Sequence, residues 1–218
     1  MPITELLEVR DKIKGLRANP PSIFGSEDHG FELNPVLSEG AVIAFEQKHG
    51  VRLPDDYREF LTAVGNGGAG PFYGVFPLGV VDSNFDFREW REGDGLVGVL
   101  REPFPLDEPW NDLSKMPEID RADLDKTTFE QQQEEFDSTY WGDALVNGAF
   151  PICHEGCAIR VLLVVTGAQA GKLWEDRRSE YGGLLPLKLK DGSPATFGGW
   201  YTEWLRRCIA AARSAAGK

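Results

Sequence analysis

The sequence predicts an α+β fold, in which N-terminal helices precede an antiparallel β-sheet meander and a closing C-terminal helix. Apolar residues recur at the three- and four-residue spacing of a helix near both ends of the chain. Short β-rich runs separated by glycine-containing turns occupy residues 150–189. Because we find no internal repeat, we expect one domain over residues 1–218, with an acidic insert at about 82–143.

Three N-terminal helices are predicted from apolar spacing and from capping residues. Residues 3–17 carry an apolar stripe that ends before two prolines. Ser38 is a good N-cap for a second helix, which Gly50 ends. Pro54 suits the start of a third helix, because its missing N–H costs nothing there. The glycine-rich run 65–68 then predicts a turn, since its residues tolerate positive φ.

The second half of the chain predicts the sheet and the closing helix. Residues 72–78 are aromatic and β-branched, so we expect a sheet built mainly from 70–80 and 150–189. The run 158–166 is almost continuously apolar, which is typical of a strand covered on both faces. A helix over about 197–212 should bury three large side chains: Trp200, Trp204 and Ile209.

The negative charge of the chain is concentrated in residues 82–143, which we call the acidic region. The chain has 23 basic and 35 acidic residues and a net charge of −12. The acidic region alone contains 18 acidic and 6 basic residues, which accounts for the whole imbalance. A nucleic acid requires a basic face, so this charge argues against nucleic-acid binding. It favours a basic protein partner, and a solvated loop without function is the simpler alternative.

Eight carboxylates of the acidic region are the predicted contacts with that partner. Some directly follow the predicted first strand, and others lie on a short helix predicted over 128–140. Complementary charge at such positions speeds association and fixes the orientation of the partner. The predicted contacts are Asp82, Asp86, Glu89, Glu92, Asp94, Glu134, Glu135 and Asp137.

Two motifs suggest chemistry, and both have a simpler interpretation. The run 65–70 matches G-x-G-x-x-G, but a dinucleotide site needs a preceding strand and a following helix, and the predicted order is the reverse. Cys153, His154 and Cys157 form C-H-x-x-C, which lacks the second pair of ligands that structural zinc sites have. We expect structural cysteines, no metal, no cofactor and no catalysis. A metal- or thiol-dependent hydrolase using these three residues is the least favoured alternative.

The sequence also predicts a cytoplasmic protein without a membrane partner. No window holds 18 consecutive apolar residues, and the N-terminus lacks the apolar segment of a signal peptide. Three cysteines are too few, and odd in number, for a secreted disulfide framework.

The block Leu53-Pro54-Asp55-Asp56-Tyr57-Arg58-Glu59-Phe60-Leu61, followed by Gly65-Asn66-Gly67-Gly68, resembles the signature of the SUKH superfamily. This superfamily of Smi/Knr-type domains includes yeast cell-wall assembly regulators and many bacterial immunity proteins. The resemblance covers about residues 36–80 and 148–208, and the acidic region departs from it. The signature residues that it implies are structural: Leu53, Pro54, Tyr57, Phe60, Leu61, Asn66, Gly67 and Gly68.

The resemblance implies a non-catalytic SUKH-like domain that acts by binding another protein. For a bacterial member, it implies an immunity protein that neutralises a cognate toxin by occluding its active site. Such toxins are often nucleases or nucleic-acid deaminases. A regulatory scaffold of the Smi/Knr cell-wall type is the alternative within the same superfamily.

Overall fold

The computed structural model describes residues 3–83, 86–117 and 126–216 of the chain. Four helices come first: α1 (Ile3–Ala18), α2 (Ser26–His29), α3 (Glu39–His49) and α4 (Asp55–Glu59). The middle of the chain forms β1 (Val80–Ser83), β2 (Asp86–Glu89) and α5 (Lys126–Tyr140). The last elements are β3 (Ala149–Gly156), β4 (Ile159–Val164), β5 (Leu173–Asp176), β6 (Leu184–Pro186) and α6 (Phe197–Ala216). The predicted α+β class is confirmed.

The ends of α3 follow the capping residues that the sequence provides. Ser38 Oγ accepts a hydrogen bond from the Ala41 backbone N–H at 3.2 Å, and Gly50 ends the helix with a φ of 65°. Helix α4 differs from its prediction, because it widens after Glu59 into a π-helical turn over Phe60–Val64. The Gly65 backbone N–H accordingly donates to the Phe60 carbonyl oxygen, five residues back, at 3.0 Å.

The turn after α4 requires glycine at two successive positions. Gly67 and Gly68 have φ values of 78° and 95°. A Cβ on Gly67 would lie 2.5 Å from the Val75 carbonyl oxygen, and one on Gly68 would lie 2.4 Å from the Glu32 carbonyl oxygen. Asn66 Oδ1 also accepts the Leu78 backbone N–H at 2.8 Å. These residues of the signature therefore join the helices to the following segment through backbone contacts.

The strand predicted over residues 72–78 is wrong. Val75 makes only isolated bridges, to Gly68 and to Cys153, and the segment forms no strand. The backbone explains this difference, because Phe72 and Gly74 have positive φ values of 52° and 96°, which interrupt an extended ladder. The strand that follows is β1, which pairs with β2 in a separate two-stranded sheet. The main sheet is therefore built from residues 149–186 alone.

The main sheet is an antiparallel meander in the order β3-β4-β5-β6. Every residue of β4 except Arg160 is buried, which confirms the prediction that this strand is covered on both faces. On the first face, the helices contribute to a large core that includes Tyr57, Phe60, Phe150 and Trp204. On the second face lies a smaller cluster, the second core, which consists of Phe104, Val146, Ala149, Leu162, Val164, Trp174 and Leu184.

Helix α6 closes the first core, largely as predicted. Trp200 and Trp204 are buried, with exposed fractions of 7% and 2%. Ile209 is less buried than predicted, and its side chain is only partly covered at the rim of the core. It lines a groove beside Gly15 of α1, and glycine has no side chain with which to cover it. Within the described residues, no helix has the length and apolar character needed to cross a membrane.

Candidate partner-binding surface

The first part of the acidic region is anchored in the first core. Trp90 is buried, and its ring stacks on Phe150 at 5.7 Å between centroids and meets Phe45 edge-on at 6.0 Å. Val97 and Leu100 are completely buried in the same core. Burial of three large apolar side chains fixes a segment much more strongly than charge does. The described residues here are therefore a packed part of the domain and not a solvated loop.

The later part of the acidic region covers the second core. Backbone hydrogen bonds join Trp110 to Leu184 of β6 in both directions, at 2.9 and 2.8 Å. The ring of Tyr140, the last residue of α5, lies 5.4 Å from that of Trp110. Its hydroxyl donates to Asn111 Oδ1 at 2.8 Å and accepts the Gly183 backbone N–H at 3.1 Å. These bonds hold the C-terminal end of α5 against the sheet edge at β6.

A buried ion pair between Arg178 and Asp176 also holds the C-terminal end of α5. Arg178 is completely buried and makes a bidentate pair with Asp176, Nε to Oδ1 at 2.9 Å and Nη2 to Oδ2 at 2.7 Å. Its Nη1 donates to the Tyr140 carbonyl oxygen at 3.3 Å, which helps to satisfy the end of the helix. The guanidinium carbon lies 5.3 Å from the centroid of the Trp141 ring. One buried cation therefore holds a strand, a helix end and an aromatic side chain together.

Two large aromatic side chains at this position remain exposed. Trp141 is 37% exposed and Tyr181 is 44% exposed, although both have aromatic neighbours in Tyr140. Trp141 directly follows α5, and its backbone N–H donates to the Asp137 carbonyl oxygen at 2.9 Å, which continues the helical path by one residue. Glu134 lies seven residues earlier, so it falls on the same side of that path, and both Glu134 and Glu135 are exposed. Rigid Trp and Tyr side chains are the residues that most often dominate the energy of protein interfaces. We call Glu134, Glu135, Trp141 and Tyr181 the acidic–aromatic surface.

The three carboxylates of α5 that are predicted to contact a partner differ in how far other residues of the chain already bind them. Glu134 is exposed, and among the described residues its carboxylate has no hydrogen bond or ion pair. Glu135 pairs with Lys115 at 2.8 Å, and the contact holds the pKa of Glu135 below its usual value. Asp137 is half-buried and accepts a hydrogen bond from Gln133 Nε2 at 2.9 Å. Glu134 is therefore the carboxylate of α5 most available to a partner, and all three contacts stay predictions.

Two predicted contacts after β2 are engaged in the fold itself. Asp94 accepts backbone hydrogen bonds from Leu96 and Val97 at 3.1 and 3.2 Å and pairs with Arg88 at 3.0 Å. Burial alone raises the pKa of Asp94, but its hydrogen bonds outweigh this effect and hold the pKa below its usual value. Glu92 Oε1 lies 2.6 Å from Nδ1 of the largely buried His49. Both carboxylates organise the loop that follows Trp90, and a partner would compete with these bonds.

The remaining three predicted contacts lie on the β1–β2 hairpin. Asp82 faces Phe87 and Asp86 faces Ser83 in its ladder, but the side chains of the two aspartates lie outside the described part of the structure. Glu89 is exposed at the end of β2. The hairpin contacts and the α5 contacts are carried by separate elements.

The residues of the C-H-x-x-C motif lie in different environments. Cys153 is buried and its Sγ donates to the Pro71 carbonyl oxygen at 3.3 Å, whereas Cys157 is exposed in the β3–β4 turn. His154 Nε2 accepts the Ala158 backbone N–H at 3.2 Å. Burial raises the pKa of the third thiol, Cys208, to about 11. In the described ranges, no three His, Cys, Asp or Glu side chains come together as metal ligands.

Sequence reasoning missed Trp141, Arg178 and Tyr181. The first is a single aromatic residue after a helix, and the others lie in an irregular segment between β5 and β6. No periodic pattern marks such positions. Arg178 lies beside Arg177 in a charged run over residues 175–180, so nothing in the sequence distinguishes it as the arginine that is buried with a partner.

Comparison with protein families finds a match for this chain. The model of the SMI1/KNR4 family (SUKH-1) matches residues 37–174, which is more than half of the chain. The matched range includes the signature block and all of the acidic region, and it ends in β5. Helix α6 lies beyond it, although the resemblance seen in the sequence extends to residue 208. No curated protein and no solved structure matches the chain.

Proposed function

We propose that this chain, which belongs to the SMI1/KNR4 family (SUKH-1), is a non-catalytic immunity protein. It binds a cognate basic toxin that acts on nucleic acid, either a nuclease or a nucleic-acid deaminase, and occludes the active site of that toxin. The toxin meets this protein in the cytoplasm. The family supports a role in binding other proteins, and the charge of the chain supports a basic partner.

The acidic–aromatic surface is the observation that carries this proposal. Its carboxylates supply long-range attraction, and its two exposed aromatic side chains supply apolar area for a tight contact. The buried pair of Arg178 and Asp176 fixes the surface before binding, so little conformational entropy is lost on association. A nucleic-acid enzyme presents a basic active-site cleft, which this combination of charge and aromatic area would cover.

The proposal assigns no bond-breaking step to this chain. Protection comes from stoichiometric occlusion, so it should vary with the ratio of the two proteins and not with time. Steering by charge also depends on salt, because the screening length falls from ~30 Å at low salt to ~8 Å at physiological salt.

The experiment starts by capturing the partner from the native cell and identifying it by mass spectrometry. Protection is then measured in cells that express the captured toxin. The test variant is Glu134→Lys with Glu135→Lys. The matched control is Glu8→Lys with Asp11→Lys, which changes the net charge equally on the exposed side of α1.

We expect the captured partner to be a basic enzyme that acts on nucleic acid. The α5 variant should associate with it about tenfold more slowly than the wild type, and the α1 control should associate at the wild-type rate. Only the α5 variant should lose the ability to protect cells. Full protection by a stably folded α5 variant would exclude this surface. Capture of cell-wall assembly proteins, with no toxin, would overturn the immunity role in favour of the regulatory scaffold.

A further inference from the structure

A second concave site lies away from α5, between the segment that contains α2 and the turn over residues 68–77. It is a notch of about 210 Å³, and we call it the Tyr73 notch. Its polar lining comes from Asp28, His29, Glu32, Asn34 and Tyr73. No lysine or arginine is among its lining residues in the described part of the chain.

The polar groups of the notch provide negative charge and hydrogen-bond acceptors. Asp28 is exposed, and its carboxylate has no hydrogen bond or ion pair among the described residues. Glu32 pairs with Arg17 of α1, and both side chains of that pair are more than half exposed. Such an exposed pair contributes little energy, so a competing cation can replace Arg17 at small cost.

His29 adds no positive charge to the notch near neutral pH. Its Nδ1 accepts the Phe31 backbone N–H at 3.0 Å, which places the proton of the neutral ring on Nε2. The ring packs edge-on against Trp204 at 5.9 Å, and burial lowers the pKa of His29. The neutral His29 ring therefore lines the notch and packs against Trp204 of the first core.

We propose that the Tyr73 notch binds a single arginine side chain of a basic protein partner. A guanidinium is planar, so it can pair with Asp28 or Glu32 through its N–H groups and lie against the Tyr73 side chain that lines the same notch. The volume suits one such group, which either uses the carboxylate of Asp28 or replaces Arg17 at Glu32. The inference goes beyond the proposed function, because it does not depend on the partner being a toxin.

The surroundings of the notch are those of a protein contact. Phe24 is 63% exposed, the most exposed large apolar side chain in the described residues, and its ring lies 5.4 Å from that of Tyr73. Phe72 beside it has a φ of 52°, which is strained for a bulky residue. Gly25 permits this arrangement, because a Cβ there would lie 1.9 Å from the Phe72 carbonyl oxygen.

Other strained residues connect the notch to the acidic–aromatic surface. The Tyr73 ring lies 5.5 Å from that of His154, which bonds the β3–β4 turn, where Cys157 and Ala158 have φ values of 50° and 60°. Ser179 Oγ donates to the Cys157 carbonyl oxygen at 2.9 Å. Tyr181, two residues further on, has a φ of 59°. Strained backbone clusters at functional sites, and here it follows one continuous strip.

The test uses arginine amide as the probe and citrulline amide as its analogue, whose side chain has nearly the same shape but carries no charge. Each is titrated into the full-length protein, and backbone amide shifts are followed by two-dimensional NMR. We expect saturable shifts at residues 28–34 and 72–75 with arginine amide, and binding weaker by about fivefold or more with citrulline amide.

Asp28→Asn is the test variant, and Glu27→Gln is its control, since it removes the same charge from an exposed neighbour outside the notch. We expect about fivefold weaker arginine binding in the first and unchanged binding in the second. Equal binding of the two probes, equal effects of the two variants, or shifts that never saturate would overturn the proposal. These results do not involve a toxin, so they fail or succeed independently of the immunity role.

Discussion

The two faces of the main sheet are covered in different ways. On the first face, α3, α4 and α6 present apolar side chains at regular helical spacing. On the second face, the cover is an irregular segment of the acidic region with single aromatic side chains, such as Phe104 and Trp110, and the last turn of α5. A segment with the composition of a solvated loop can therefore complete a core, provided that a few large apolar residues anchor it.

The faces also differ in their use of buried charge. The first core holds no fully buried ion pair among the described residues, whereas the second face depends on Arg178 and Asp176. A buried pair adds little net stability but penalises any arrangement that separates its members. The second face thus gains a fixed geometry for the exposed residues above it, which a binding surface needs.

The largest expected loss of stability comes from removing a buried side chain on the first face of the sheet. Trp204→Ala should lower the free energy of unfolding by about 3–5 kcal/mol, because it leaves a large cavity beside Phe31 and Tyr201. The measurement is urea unfolding. Trp110→Ala, on the second face, should cost about 1–3 kcal/mol, since Trp110 is only partly buried. A loss below ~1 kcal/mol for Trp204→Ala would show that α6 does not close the core.

Removing the buried cation tests the second face. Arg178→Ala should lower the free energy of unfolding by about 3 kcal/mol, because Asp176 is left buried without its partner. The neighbouring variant Arg177→Ala is the control and should cost less than about 1 kcal/mol, since its carboxylate partners Glu175 and Glu180 are partly exposed. Equal effects in the two variants would contradict the structural role given to Arg178.

A pH effect is expected at the end of β3. Burial, reinforced by the nearby Glu175, raises the pKa of Glu155 to about 7. The folded state therefore holds this proton more tightly than the unfolded state, and stability falls as pH rises from about 4.5 to 7. Glu155→Gln should remove this loss and raise stability at pH 8 by about 1 kcal/mol, a value reduced for partial exposure. Chemical unfolding at pH 5 and pH 8 measures it, and an equal effect at both values would contradict the assignment.

The smallest expected effect concerns the exposed thiol. Cys157→Ser should change the free energy of unfolding by less than ~0.5 kcal/mol, because the side chain points into solvent. Elemental analysis of the wild-type protein should find no zinc, and partner binding should stay within a few fold. Stoichiometric zinc that is lost in the variant would revive the hydrolase alternative.

The difference between the faces also explains what could be predicted from the sequence. Regular spacing and caps located α3 from Ser38 to Gly50, and they located the buried side of α6. The segment 72–78 has the composition of a strand, but Phe72 and Gly74 have positive φ values where the backbone passes close to Gly25 and Gly68, and composition does not encode these contacts. The acidic charge predicted a partner-binding region, whereas Trp141 and Tyr181 depend on contacts distant in sequence.

The central claim is that the acidic region packs stably against the sheet and thereby holds the acidic–aromatic surface in place. Amide hydrogen exchange followed by mass spectrometry tests it most directly. The account predicts slow exchange in the last turns of α5 and around Trp110 and Leu184, approaching that of β4, with protection of α5 lost selectively in Arg178→Ala. Exchange of α5 at the unprotected rate in the wild-type protein, while β4 stays protected, would contradict it.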